Sequence, residues 1–280
     1  TESLRKKVKI KFSLKNAKLY GKDLKNLVPT LKNLDQPFIA NGKISYYNNN
    51  LNLHGFQAKY SDNMNVKLSA QANGIDRIED TYIFANIQQI NTNVNDLEDL
   101  ISDITQKPFV LPQEVRNLGH FKFTGNIVGF LSEIVAYGKL NTDAGKINTD
   151  LKINYNTKTT DWKFKGNIAT EDVNLSKILN KSTDFNDIHL DVIFDGQKLA
   201  KTPLSGHVHG VISSFDYKQY EFDNIILDSK FSEENINAEL RYKDPSNGNI
   251  EILVDVEKSK DATYTMNLNG KIDTVCLAAM

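Results

Sequence analysis

The stretch INTDLKINY at residues 147–155 decides the fold class, because apolar residues occupy every second position and only Thr149 breaks the pattern. Successive side chains of a β-strand point to opposite faces of a sheet, so the pattern predicts a strand with one apolar and one solvated face. The same alternation recurs in further segments: VKIKFSLK at 8–15, IHLDV at 188–192, INAEL at 236–240 and YTMNL at 264–268. Short polar breaks, which predict hairpin turns, occur at residues 47–50, 143–145, 156–160 and 245–248. We therefore predict a mostly β chain of antiparallel strands.

The composition is that of a globular protein and argues against several functional classes. The 280 residues are 40% hydrophobic and 25% charged, with room for one large domain or two ordinary ones. With 34 Lys and Arg against 35 Asp and Glu, the chain lacks the positive charge of a typical nucleic-acid binder, so we expect no nucleic-acid partner. The single Cys276 excludes an intramolecular disulfide framework. The 32 Asn residues suit turns and solvated strand faces.

An internal repeat organises the chain. A small residue, any residue and Ile recur together: GKI at 42–44, ANI at 85–87, GNI at 125–127, GNI at 166–168, GVI at 210–212 and GNI at 248–250. The copies at 85 and 166 lead within a few residues into helix-like segments, whereas those at 42, 125 and 210 lead into a further strand. Because the two contexts alternate, the true period is every second copy, which is typical of a β-rich repeat array.

The repeat predicts the domain organisation. Four segments follow from it: incoming strands of a preceding repeat at 1–41, a first repeat at 42–124 with a helix near 93–104, a second at 125–209 with a helix near 173–180, and a partial third at 210–280. The first helix is expected because one helical stripe contains Val94, Leu97, Leu100 and Ile101. Its acidic residues, expected on the solvated outer face, are Asp96, Glu98, Asp99 and Asp103.

Two segments carry a resemblance to a known family. They are LPQEVRNLGHFKFTGNIVGFLSEIVAYGKLNTDAG at 111–145 and the region containing FDYKQY at 215–220 and FDNI at 222–225. Both resemble TamB-like proteins, of the AsmA-like, repeating β-groove group, and the similarity is closest to the versions in Bacteroidetes-type bacteria. The resemblance implies an elongated antiparallel β-repeat, a β-taco-like open groove with short helices between repeats. The chain lacks the family's N-terminal anchor helix and is shorter than its members, so it is expected to be an internal fragment.

The resemblance also implies a function, a location and partners. Such a protein is tethered to the inner membrane, here through a segment absent from this chain, and spans the periplasm. Its groove carries or shields phospholipid acyl chains between the inner and outer membranes. It supports outer-membrane protein assembly, and its far end partners an outer-membrane barrel of the BamA-like type.

Alternating apolar residues are the candidates for lining such a groove. They are Val8, Ile10, Phe12, Phe121, Phe123, Ile147, Leu151, Ile153, Trp162, Phe164, Leu190, Val192, Ile236, Leu240 and Met266. The residues alone leave two structures open, since an apolar sheet face either closes against a second sheet as a core or stays open as a groove. A groove needs no polar motif, because each methylene removed from water contributes about 0.8 kcal/mol.

No catalytic motif is present, so we expect no enzyme, no catalytic residue and no cofactor. His207 and His209 share a strand face but have no third ligand nearby in the sequence, so we expect no metal site. An aromatic patch, consisting of Phe215, Tyr217, Tyr220 and Phe222, either packs within the sheet or stacks on sugar. The second possibility gives the alternative function, an extracellular β-repeat adhesin or carbohydrate-binding module. A structural spacer in an envelope assembly is a third.

Overall fold

Antiparallel strands make up most of the chain in the computed structural model, which confirms the mostly β prediction. The structure describes residues 9–24, 33–34, 36–75, 80–106, 108–111, 113–130, 132–156, 158–159, 161–180, 184–200, 202–218, 220–244, 248–259 and 263–273. Val8 and Cys276 lie outside the described residues.

Two compact units divide the chain, residues 1–144 with 177–180 and residues 145–176 with 181–280. The strands described in the first unit are β1 (Ile10–Leu19), β2 (Phe38–Tyr47), β3 (Asn50–Lys59), β4 (Asn65–Asn73), β5 (Tyr82–Asn93), β6 (His120–Phe130) and β7 (Glu133–Thr142). Those described in the second are β8 (Gly145–Asn156), β9 (Asp161–Glu171), β10 (Val173–Asn174), β11 (Phe185–Lys198), β12 (Ser205–Tyr217), β13 (Tyr220–Ser232), β14 (Asn235–Asp244), β15 (Gly248–Lys258) and β16 (Tyr264–Asp273). The helices described are α1 (Gly21–Leu24), α2 (Val94–Thr105), α3 (Gln113–Arg116) and α4 (Leu175–Leu179).

Within each unit, the order of the strands in the antiparallel sheet follows the chain, except that β10 pairs with β11 off the main path. Within β1–β7 and within β8–β16, consecutive strands therefore pair, apart from β9, which pairs with β8 and β11. This is the arrangement that the short polar turns predict. One of these turns joins β2 to β3 through Asn48 and Asn49, whose φ angles of 47° and 60° are those of a type I′ hairpin. Asn tolerates this left-handed conformation better than most residues. The predicted repeat boundaries are not tested by this division into two units and stay a prediction.

In the first unit, the pairing register places one small or apolar residue from each strand in a single row. The row, from β1 to β7, is Phe12, Ile44, Leu53, Ala70, Ala85, Ile127 and Ala136. Directly opposed residues of an antiparallel pair point to the same side of the sheet. We call this side the first apolar face.

In the second unit, three adjacent rows cross eight strands on one side, the second apolar face. The middle row is Leu151, Gly166, Phe194, Val208, Ser229, Ala238, Val254 and Leu268. The rows on either side are Thr149, Ile168, Val192, Gly210, Leu227, Leu240, Ile252 and Gly270, and Ile153, Phe164, Gly196, Gly206, Phe231, Ile236, Val256 and Met266. Only Thr149 and Ser229 carry a polar side chain in these three rows. The repeated small-x-Ile motif supplies Gly166 with Ile168.

β-Bulges keep apolar residues on one face where the sequence alternation breaks. In β3 the apolar residues Leu53 and Phe56 are three apart, so a regular strand would point them to opposite faces. The register between β3 and β4 shifts between these two residues, at Gly55, whose φ is 55°. The extra residue returns Phe56 to the first apolar face, where it pairs with Leu68.

The helix α2 follows β5 directly and is capped by Asn93, whose Oδ1 accepts a hydrogen bond from the backbone N of Asp96 at 2.8 Å. It ends at Thr105, and the C-cap residue Gln106 adopts a left-handed conformation with a φ of 55°. Val94, in the first turn, is buried. This helix lies where the sequence predicts one, near 93–104.

The prediction that all the acidic residues of α2 face solvent is wrong. Glu98 is only 8% exposed. Its Oε2 pairs with Arg116 Nη1 at 2.7 Å, and its Oε1 accepts a hydrogen bond from the backbone N of Leu111 at 2.7 Å. Glu98 therefore joins α2 to α3 and to the segment before it, a contact that the pattern of one helix cannot reveal.

The helix α2 also contacts the turn between β3 and β4. Tyr60 Oη donates a hydrogen bond to Asp103 Oδ2 at 3.1 Å, and Ser61 Oγ bonds to Asp96 Oδ2. Asp99 is exposed, as predicted. Three of the four carboxylates thus hold the helix in place.

Candidate apolar binding surface

The register brings the predicted groove residues of the second unit together. All ten lie on the second apolar face: Ile147, Leu151 and Ile153 on β8, Trp162 and Phe164 on β9, Leu190 and Val192 on β11, Ile236 and Leu240 on β14, and Met266 on β16. Residues that the sequence reasoning missed extend the same surface on β12 and β15, such as Val208 and Val254. The alternation in β15 could have identified Val254, because every second position there is apolar: Ile250, Ile252, Val254 and Val256.

Most apolar side chains of the second apolar face are half-buried, and several are exposed. Trp162 is 45% exposed, Ile236 43% and Met266 59%, whereas Val192 is buried. The described long strands of this unit make their extensive contacts with the strands to which they are hydrogen-bonded, and not across the face of the sheet. A closed sandwich would bury both inner faces between two sheets, so within the described residues of this unit the apolar side chains are not packed like those of a closed core.

Phenyl rings cover glycines on this face. An ideal Cβ built on Gly206 would lie 2.6 Å from Cζ of Phe231, and one built on the paired Gly196 would overlap the ring of Phe164. The rings therefore occupy the space that side chains would take at the two glycines. This arrangement widens the aromatic surface, because each ring extends across a neighbouring strand.

The predicted groove residues of the first unit lie on the first apolar face. Phe12 is 50% exposed on β1, whereas Phe121 is buried on β6. The ring of Phe123 covers the paired glycines Gly125 and Gly138, with distances of 2.9 and 2.8 Å to ideal Cβ positions. Ile10 pairs with Tyr46 on the same side. The described members of the predicted set thus share one face in each unit.

The polar faces carry hydrogen-bonded amides and carboxylates. In the first unit Asn86 Nδ2 donates to Asn126 Oδ1 at 2.9 Å, and in the second Asn237 Nδ2 donates to Asp255 Oδ1 at 2.7 Å. Each pair joins residues that lie opposite each other on neighbouring strands. These bonds explain part of the high Asn content, since Asn both accepts and donates across a strand pair.

Two histidines of β12 lie together on the polar face of the second unit. The rings of His207 and His209 stack with centroids 5.0 Å apart, and His207 Nε2 lies 2.9 Å from Asp228 Oδ1. This hydrogen bond is the main reason that the pKa of Asp228 lies below its ordinary value. Among the residues that the structure describes, no group of three or more His, Cys, Asp or Glu side chains is arranged to hold a metal ion.

Two members of the predicted aromatic patch contact each other within the sheet. The rings of Phe215 and Phe222 lie 6.5 Å apart, and Phe222 meets Tyr242 edge-on at 5.8 Å. Tyr217 receives the ammonium group of Lys218 at 5.3 Å from its ring centre. These contacts agree with the packing interpretation for Phe222.

The comparisons with known proteins identify no relative of this chain. No protein-family model, curated protein or solved structure matches the chain. None of the helices in the described part of the chain combines the length and the apolar character required to cross a bilayer. The resemblance to TamB-like proteins therefore stays a prediction.

Proposed function

We propose that this chain binds phospholipid acyl chains on its apolar faces and shields them from water. The observation that carries the proposal is the second apolar face, on which eight strands align apolar side chains that are mostly half-buried or exposed. Exposed apolar patches of this extent are typical of binding surfaces in soluble proteins. Each acyl methylene that leaves water on such a surface contributes about 0.8 kcal/mol, so binding requires no polar motif.

The proposal extends to a setting. The chain would act as a section of a longer envelope protein that is tethered to the inner membrane, crosses the periplasm and contacts an outer-membrane barrel of the BamA-like type. Lipid would move along the apolar surface between the two membranes, and no enzymatic step is involved. The resemblance of residues 111–145 to TamB-like proteins supports this setting.

Lipid binding is tested with two neighbouring residues of β15. Val254 lies on the second apolar face, and Leu253 lies on the polar face opposite Glu239. We expect Val254→Asp to reduce co-purifying phospholipid at least about tenfold, because a carboxylate placed against an acyl chain loses its hydration. The measurement is native mass spectrometry with lipid extraction, on the chain expressed in a Gram-negative periplasm.

Leu253→Asp is the matched control, since it makes the same substitution one residue away on the other face. It should retain lipid at the level of the unchanged chain. Leu151→Asp, on β8 of the same apolar face, should reproduce the effect of Val254→Asp. Circular dichroism of each variant separates lost lipid from lost structure, because a folded variant without lipid supports the proposal. Equal lipid content in the Val254 and Leu253 variants, or an unchanged chain that is free of lipid, would overturn it.

The extracellular adhesin or carbohydrate-binding module stays the alternative. No specific contact favours it, since the rings of Phe222 and Tyr242 pack on each other. A lipid-free, folded chain that binds on a glycan array would replace the lipid proposal with this one.

A further inference from the structure

A cavity of about 840 Å³ lies between two rows of polar side chains in the second unit. The first row crosses five strands through Lys152, Lys165, Asp195, His207 and Lys230. The second row crosses four strands through Asn154, Lys163, Gln197 and Ser205. All nine residues line the cavity.

The bottom of this cavity is formed by a row of residues that has no bulky side chain on the polar face. Between the two polar rows runs the row that contains Phe164, Gly196, Gly206 and Phe231, which also line the cavity. The two phenyl groups belong to the apolar face, where they cover the two glycines. This row therefore places no bulky side chain between the polar rows.

The charge of the cavity is strongly positive. Four lysines line it, and Asp195 is the one carboxylate among its described lining residues. Lys165 on β9 lies directly opposite Lys152 on β8 and, on its other side, directly opposite Asp195 on β11. Like charges at opposed positions destabilise a strand pair and opposite charges stabilise it, so Asp195 offsets part of the repulsion. None of the ion pairs found among the described residues involves Lys163, Lys165 or Lys230.

We propose that this cavity, the basic pocket, binds a phosphate group carried by a larger ligand. Ammonium groups bind phosphate as point charges. The hydroxyl of Ser205 and the amides of Asn154 and Gln197 supply further donors at the opposite side of the cavity. The volume exceeds that of a single phosphate and leaves room for an attached polar group.

The phosphate has two possible sources, a soluble phosphorylated compound or the headgroup of an anionic lipid. Two probes therefore distinguish the sources. Binding of inorganic pyrophosphate is measured by isothermal titration calorimetry. Binding to vesicles of phosphatidylglycerol in phosphatidylcholine is measured by co-sedimentation. Binding of pyrophosphate assigns the pocket to soluble ligands, and binding of the anionic vesicles alone assigns it to headgroups. Failure of both probes at low ionic strength would overturn the proposal.

The test variant is the double substitution Lys165→Gln and Lys230→Gln, which keeps the length of both side chains. We expect it to weaken binding of the active probe about tenfold or more, since hydrogen bonds to charged groups are among the stronger ones. The control is Lys243→Gln with Lys271→Gln, which removes the same charge from exposed positions beside Glu251 and Asp273, outside the basic pocket. Equal weakening by the two double variants would mean that only net charge matters and would overturn the site.

This site is independent of the proposed lipid surface, because the two occupy opposite sides of the same strands. Val254→Asp, which is expected to reduce the co-purifying phospholipid, should leave pyrophosphate or vesicle binding at the basic pocket unchanged. A chain that binds phosphate but retains no lipid would overturn the lipid proposal alone. The reverse result would overturn the basic pocket alone.

Discussion

Replacement of Gly166 by Val is expected to lower the free energy of unfolding by about 3 kcal/mol, at the upper end of the usual cost of overpacking. A Cβ at this position would overlap the backbone carbonyl oxygen of Asp150, and it would lie 3.1 Å from Cα of Leu151. Both atoms belong to the backbone of the neighbouring strand β8, so no side-chain rotation relieves the contact. The measurement is urea denaturation followed by circular dichroism.

Gly270 provides the control for the Gly166 experiment. It lies on the same apolar face, on β16, and an ideal Cβ built on it has no heavy atom within 4 Å. Gly270→Ala should therefore leave the stability unchanged or raise it slightly, because Ala reduces the freedom of the unfolded chain. Gly166→Ala is the matched comparison, because its Cβ meets the same backbone atoms of β8. If Gly166→Ala proved as harmless as Gly270→Ala, the close approach of β8 to β9 would be wrong.

Removal of the Glu98 carboxylate is expected to lower the stability of the fold by a similar amount. We expect Glu98→Ala to lower the free energy of unfolding by about 3 kcal/mol, because loss of one partner of a buried ion pair leaves the other charge uncompensated. Arg116 is a third exposed, which holds the loss at the lower end of the range for such pairs. The backbone N–H of Leu111 also loses its acceptor. Urea denaturation of the variant gives the value.

Asp99, one residue further along α2, gives the comparison. It is exposed, so Asp99→Ala should change the stability by no more than about 0.5 kcal/mol. Glu98→Gln keeps an acceptor for Leu111 and should lie between the two alanine variants. Equal stabilities for Glu98→Ala and Asp99→Ala would show that the pair with Arg116 does not hold α2 and α3 together.

The small residue that recurs in the small-x-Ile motif, represented by Gly166 in β9, has a physical role in the sheet. In β6 and β9 the motif glycine and the Ile two residues later lie on the apolar face of their unit: Gly125 with Ile127, and Gly166 with Ile168. A Cβ on either glycine would overlap a backbone oxygen of a neighbouring strand. The small residue permits close approach of the strands, and the Ile adds apolar surface beside it.

The elements of this chain were predictable from its sequence because they depend on local patterns. Period-two alternation in residues 147–155 requires only that a strand bury one face. The stripe from Val94 to Ile101 likewise specifies a helix, and Asn48 and Asn49 specify a tight turn through their own backbone preferences. Membership of one apolar face was predictable for the same reason, since alternation assigns each residue to one side of its strand.

Pairing between strands decided the rest. The bulge at Gly55 restores Phe56 to the apolar face, and only the register with β4 locates it. Glu98 has the sequence environment of a solvated helix residue, and it is buried because α3 packs against it. Lys152 and Lys230 are 78 positions apart in the sequence and line one pocket only because β8 to β13 pair in a particular register. Accessibility of the apolar faces also depends on what packs above them, and a pattern along one strand carries no information about that.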